Sequence, residues 1–163
     1  MLNSTRVILG LLALTLIAGA NGQPLTWYVQ GVTFDDGGTA SGSFVFDAGS
    51  NTFSFVNVTT TNGTTRNGAN YTRPNPVAGS TFVVLLTSAT GNLTGTPVFA
   101  AEFPSAMTDF GGAVDFSTSA LSFHQEQSCA SSDCSTVTVP TRFITAGTIQ
   151  SSETLFDYMF FGG

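Results

Sequence analysis

Few side chains in this sequence are equipped for chemistry, and their spacing decides which reactions they could support. His124, within Leu-Ser-Phe-His-Gln-Glu-Gln, is the only histidine, so a hydrolase built on serine, histidine and carboxylate has to use it. Strand alternation puts Ser122, His124 and Glu126 on one face. A catalytic triad, however, gathers its members from separate segments around a pocket that stabilises an oxyanion, and no such pocket can be read from this string. Spacing therefore favours a hydrogen-bonded surface histidine. A glycosidase needs two carboxylates at a set separation across a cleft. Glu102, Asp109, Glu126 and Glu153 are nominees, and no pair is singled out. The expectation is a non-enzymatic domain, with a hydrolase using His124 or a carboxylate pair as a remote alternative.

Asp35 and Asp36 precede Gly37 and Gly38. Carboxylate and backbone oxygens of such a turn suit calcium, but calcium loops space their ligands at alternate positions, and Asp-Gly is also ordinary hairpin chemistry. The turn is the leading expectation, calcium the weaker one, and no other cofactor is indicated. Cys129 and Cys134 are the only cysteines. Redox catalysis favours the tighter Cys-x-x-Cys spacing, and a zinc site would have only His124 to add. A structural disulfide is expected, closing a short loop and contributing about 1–3 kcal/mol. Against 15 phenylalanines stand one tryptophan and three tyrosines, which indicates a core built from Phe and few amphipathic rings for stacking on sugars. A carbohydrate-binding module, the first alternative function, would use Trp27, Tyr28, Tyr71 or Tyr158. Asn57, Asn62, Asn70 and Asn92 each begin an Asn-x-Thr triplet, a glycosylation acceptor in a eukaryotic host.

These groups sit in a chain laid out for export. Residues 1–22 carry Arg6, an apolar run and small residues at Ala18, Ala20 and Gly22, the arrangement of a cleavable signal peptide. The apolar run at 7–20 is shorter than the roughly 20 residues of a spanning helix. Stable membrane insertion is thus not expected once the signal is removed. Residues 23–163 suit a single domain with one core. Without Arg6 they hold three arginines, no lysine and ten carboxylates. Nucleic acid and anionic membrane surfaces are therefore poor partners. Charged residues make up only 9%, leaving Ser, Thr, Asn and Gly to solvate the surface.

Period-2 alternation predicts strands at 25–34, grouping Tyr28, Val32 and Phe34 against Trp27 and Val29, and at 39–47, with Gly42, Phe44 and Phe46 on one face. A further strand is predicted at 52–61. From 61 to 80, Asn, Gly, Thr and Pro dominate, and Pro74 and Pro76 oppose regular pairing, so a long exposed loop is expected, with recognition as its candidate role. The apolar run 81–86 predicts a strand buried on both faces and central in its sheet. Strands are also predicted at 98–103, 113–116, 120–125, 136–145 and 155–161, with room for one helical turn at 104–112. Eight or nine short strands make an all-β antiparallel sandwich or a partly closed barrel, the sandwich preferred.

The run Gly31-Val-Thr-Phe-Asp-Asp-Gly-Gly-Thr-Ala-Ser-Gly-Ser-Phe-Val-Phe-Asp47 resembles the N-terminal segment of bacterial exported proteins of the PEP-CTERM sorting class. Glu126-Gln-Ser-Cys129, Cys134 and Arg142-Phe-Ile-Thr-Ala-Gly-Thr-Ile149 look like the closing part of the same domain. Together they cover about a quarter of the chain. The resemblance implies a small exported β-domain of the cell surface or matrix, whose partner would be an extracellular or cell-surface polymer or protein, and it brings no catalytic residues. The sequence shows no Pro-Glu-Pro motif, so release to the medium or periplasm is expected rather than anchoring.

Overall fold

Alternation builds the first strand, and a glycine then interrupts it. In the computed structural model, which describes residues 23–87, 91–118 and 123–153, strand β1 (Leu25–Phe34) buries Leu25, Trp27 and Val29. Gly31, at φ 59°, opens a bulge where the pairing of β1 shifts against both of its neighbours. One extra residue there returns Val32 and Phe34 to the buried face beside Trp27. The expected grouping of Tyr28 with Val32 and Phe34 is therefore corrected, because it assumed an unbroken period; Tyr28 is half-buried on the opposite side. Gly147 packs onto this bulge at φ 105°, and a Cβ there would lie 2.4 Å from Val32 Cα. Only glycine meets both the conformation and the close approach.

The chain continues as β2 (Thr39–Asp47), β3 (Thr52–Thr60), β4 (Asn70–Tyr71), β5 (Arg73–Pro74), β6 (Phe82–Leu86), β7 (Pro97–Glu102), β8 (Ala113–Asp115), β9 (Gln125–Cys129) and β10 (Val137–Ser151). All pairings are antiparallel, in the order β4-β3-β2-β1-β10-β9-β7-β6-β5, with β8 beside the second half of β10. The fold is all-β, a sheet nearly closed into a barrel, the second of the two arrangements the sequence allows. Closure comes from a short strap. β4 and β5 end the strand path on opposite sides, yet only Thr72 separates them in sequence. Tyr71 pairs with Val58 of β3, and Arg73 pairs with Leu86 of β6.

That strap lies within the stretch expected to be a long exposed loop. The correction has a physical basis: Tyr71 is fully buried among the core residues and packs against Phe99 with ring centres 5.9 Å apart. Pro74 occupies the edge strand, where a missing N–H is tolerated. Strand β6 is buried on both faces, as its apolar run implies, but it is the second strand from the edge and not central. Val83 and Leu85 enter the main core, while Val84 and Leu86 join Val98, Cys129 and Cys134 in a small outer cluster. Residues 108–111 form a bridged turn in place of a helical turn. Of the strand expected at 120–125, residues 120–122 lie outside the described residues and β9 begins at Gln125; the strand expected at 155–161 also lies outside the described residues.

Candidate functional site

Cross-strand pairing places Glu126 of β9 opposite Arg142 of β10, and both side chains are fully buried. Arg142 donates to Glu126 Oε2 from Nε at 3.0 Å and from Nη2 at 2.6 Å. Its Nη1 donates to Asp36 Oδ1 at 3.3 Å and to the Thr61 carbonyl at 2.9 Å. The guanidinium carbon stands 4.1 Å from the centre of the Phe34 ring. A desolvated planar cation held by carboxylates and an aromatic face is the chemistry arginine supplies and lysine does not.

The Asp-Asp-Gly-Gly turn is built for this contact. Asp36 also accepts from the amides of Gly38, Thr65 and Arg66 at 3.0, 3.3 and 3.3 Å. Burial alone would raise its pKa, but the Gly38 amide, the Arg142 charge and the other two amides outweigh that and hold it below the usual carboxylate value. A Cβ at Gly38 would lie 2.1 Å from Arg142 Nη1, so the second glycine makes room for the guanidinium. Asp35 accepts from the Phe143 amide at 3.0 Å and fastens the turn to β10. Both aspartates nominated for calcium thus bond to protein donors, and among the described residues no three His, Cys, Asp or Glu side chains gather to hold a metal ion.

Arg66 completes the cluster from the segment before β4. It donates to the carbonyl of Pro140, to that of Gln127 at 3.1 Å and to Ser128 Oγ at 3.0 Å, with Nε 3.8 Å from Glu126 Oε1. Burial, and then the adjacent Glu126 carboxylate, push the Tyr71 phenol pKa upward. Glu126, nominated as half of a catalytic pair, is therefore enclosed between two arginines. His124 is buried as well, against the exposed position expected for it. Its Nδ1 accepts from the Glu102 amide at 3.3 Å, and its ring meets that of Phe116 edge-on at 4.7 Å. Burial lowers its pKa, with the Glu102 charge opposing.

The sugar-stacking nominees are dispersed. Trp27 and Tyr71 lie in the core and offer no face to solvent, Tyr28 is half-buried, and Tyr158 lies outside the described residues. Asn57, Asn62, Asn70 and Asn92 are all exposed. Cys129 and Cys134 are disulfide-bonded and buried in the outer cluster.

That outer cluster borders a groove which reading the sequence did not find. Its volume is about 290 Å³. Pairing lays Val84, Ala100, Gln125 and Phe143 in one transverse row and Leu86, Val98 and Gln127 in the next, all pointing away from the barrel interior. Phe82 and Phe123 stand edge to face at 5.9 Å along one wall, and Val77 and Val137 form the rim. Val77, Phe123, Val137, Val139 and Phe143 are 62, 50, 42, 78 and 48% exposed. The only hint in the sequence was the apolar pair Val98 and Ala100 alternating with Phe99 and Ala101, which marks a strand covered on both sides. No family model, curated protein or solved structure matches this chain.

Proposed function

We propose that this chain is an exported, non-enzymatic interaction domain whose working surface is the outer face of β6, β7, β9 and the first half of β10. One observation carries this reading: five exposed apolar side chains, Val77, Phe123, Val137, Val139 and Phe143, gather around a groove on that face, whereas Phe55 and Phe110, exposed elsewhere, line no groove. Exposed apolar patches of this kind mark binding surfaces. The buried Arg142, Glu126 and Asp36 hold strands together, which suits a scaffold. Export is supported by the signal-like residues 1–22, by the disulfide, which persists in oxidising compartments, and by the resemblance to the PEP-CTERM class. The partner in this reading is a cell-surface or extracellular polymer or protein.

The test is saturable retention of labelled residues 23–163 on intact cells of the producing organism, with Phe143→Asp in parallel. Retention of the native chain and its loss in the variant is the expected result. Equal retention of both, or none of either, overturns the assignment of this face.

A further inference from the structure

The groove also contains one polar group that the barrel does not use. Gln127 is 6% exposed and lines the groove. On β9 it alternates with Glu126, whose side chain turns inward to Arg142, so the Gln127 amide turns outward with Cys129. Its carbonyl accepts from Arg66, but among the described residues its side-chain amide has no hydrogen-bond partner. A carboxamide carries two donors and an acceptor; those of Gln127 are not among the fully buried unpaired atoms, so they meet water from the groove. The groove itself is the side from which a partner can reach this amide.

Resting on the reading of this face as the working surface, we propose that the groove is a binding site for a neutral aromatic molecule bearing one hydrogen-bonding group that pairs with the Gln127 amide. Three features set this chemistry. The wall is aromatic, with Phe82 and Phe123 presenting an edge and a face that a third ring can extend. Among the described residues no charged side chain lines the groove, so a charged ligand would lose hydration without gaining an ion pair. A polyhydroxylated sugar would leave most of its hydroxyls unpaired against Val84, Val98 and Ala100. In size, a cavity of about 150 Å³ accommodates benzene, so about 290 Å³ accommodates a fused bicyclic ring with a short substituent. Space for it exists because Ala100 is small where its neighbours are bulky.

The test uses 6-propionyl-2-(dimethylamino)naphthalene, a neutral bicyclic ketone whose emission shifts to the blue on leaving water. With residues 23–163 a saturable blue shift is expected. Gln127→Met keeps the bulk and removes the hydrogen bond, and it should weaken binding about three- to tenfold. Ala100→Leu fills the floor and should abolish the shift. Val137→Trp roofs the groove from a rim position that is 42% exposed, so it should abolish the shift while leaving the far-ultraviolet circular dichroism unchanged. Naphthalene-2-carboxamide should displace the probe and naphthalene-2-carboxylate should not. An absent shift, a shift that survives Val137→Trp, or equal displacement by the carboxylate overturns the proposal. Cell retention reports separately on the surface: retention lost in Phe143→Asp with no probe binding by the native chain would leave the interaction face standing and remove only the small-molecule site.

Discussion

Replacing Arg142 with methionine tests whether the buried ion cluster holds the barrel closed. Methionine keeps an unbranched stem against Phe34 but removes two hydrogen bonds to Glu126, the contact with Asp36 and the donor to the Thr61 carbonyl. Each hydrogen bond to a charged group stabilises by about 1.5–3 kcal/mol. Desolvating the partners offsets most of that sum, so the intact cluster contributes little net. The large effect appears on truncation. Glu126 is fully buried and would retain Arg66 as its one nearby cation, with Nε 3.8 Å away, beside the neutral Tyr71 phenol. An uncompensated buried carboxylate costs about 3–5 kcal/mol, a sizeable share of the roughly 5–15 kcal/mol that holds a domain together.

Urea unfolding at pH 7, followed by the fluorescence of Trp27, the single and buried tryptophan, reads this directly. With a slope of about 2 kcal/mol per molar urea, Arg142→Met should lower the midpoint by about 2 M. Adding Glu126→Leu removes the stranded charge, so the double variant should be less destabilised than the two single costs combined. A loss below about 1 kcal/mol for Arg142→Met, or strict additivity in the double variant, would refute the view that this cluster joins β9, β10 and the β1–β2 turn.

Three further outcomes are expected. His124 has a pKa depressed below 6.5 in the folded state, so stability should be full above pH 6.5 and fall as acid protonates the unfolded ring first; the Cε1 proton of this single histidine, followed by NMR in an untagged protein, should titrate below pH 6.5, and titration at or above it would contradict the burial. Asp36 is held below 3.8 and Asp133 at about 2, so their contributions are present above pH 3.8 and lost toward pH 2; Asp36→Asn should flatten that limb of the melting-temperature profile, and an unchanged limb counts against the cluster. Gly147→Ala should cost about 3 kcal/mol or more, from left-handed strain plus the clash with Val32, whereas Gly91→Ala, at φ 75° with open space around it, should cost about 1 kcal/mol; equal costs would show that the bulge yields.

Strand positions were legible wherever one face is buried and the period is unbroken. Phe44 and Phe46 of β2 lie inside as alternation requires, and the apolar run of β6 is covered on both sides. Legibility failed at Gly31, because a single inserted residue inverts every later side chain on the strand, and alternation cannot reveal an insertion beforehand. It failed again at 61–80. There the composition is that of a loop, but Tyr71 anchors a strap whose partners, β3 and β6, come from both sides of it in sequence. Local propensity does not encode a contact made by closure of the whole sheet.

The candidate site was hidden for a related reason. A carboxylate or histidine in a sequence suggests reactivity only while its partners are unknown, and here the partners are what assign the role. Asp36, Glu126 and His124 each looked like possible chemistry in isolation, and each is paired or packed inside the barrel. The groove is the opposite case: Val84, Val98, Ala100 and Gln127 carry no reactive group, and an apolar strand residue is ordinarily core. They become a surface because β6 and β7 have a second apolar face that, among the described residues, only the disulfide loop and a few flanking side chains cover. An amide without a protein partner within that face separates a binding groove from a packing defect, and Gln127→Met is the substitution in which the two differ: binding of the naphthalene probe should weaken about three- to tenfold if the amide pairs with ligand and stay unchanged if it does not.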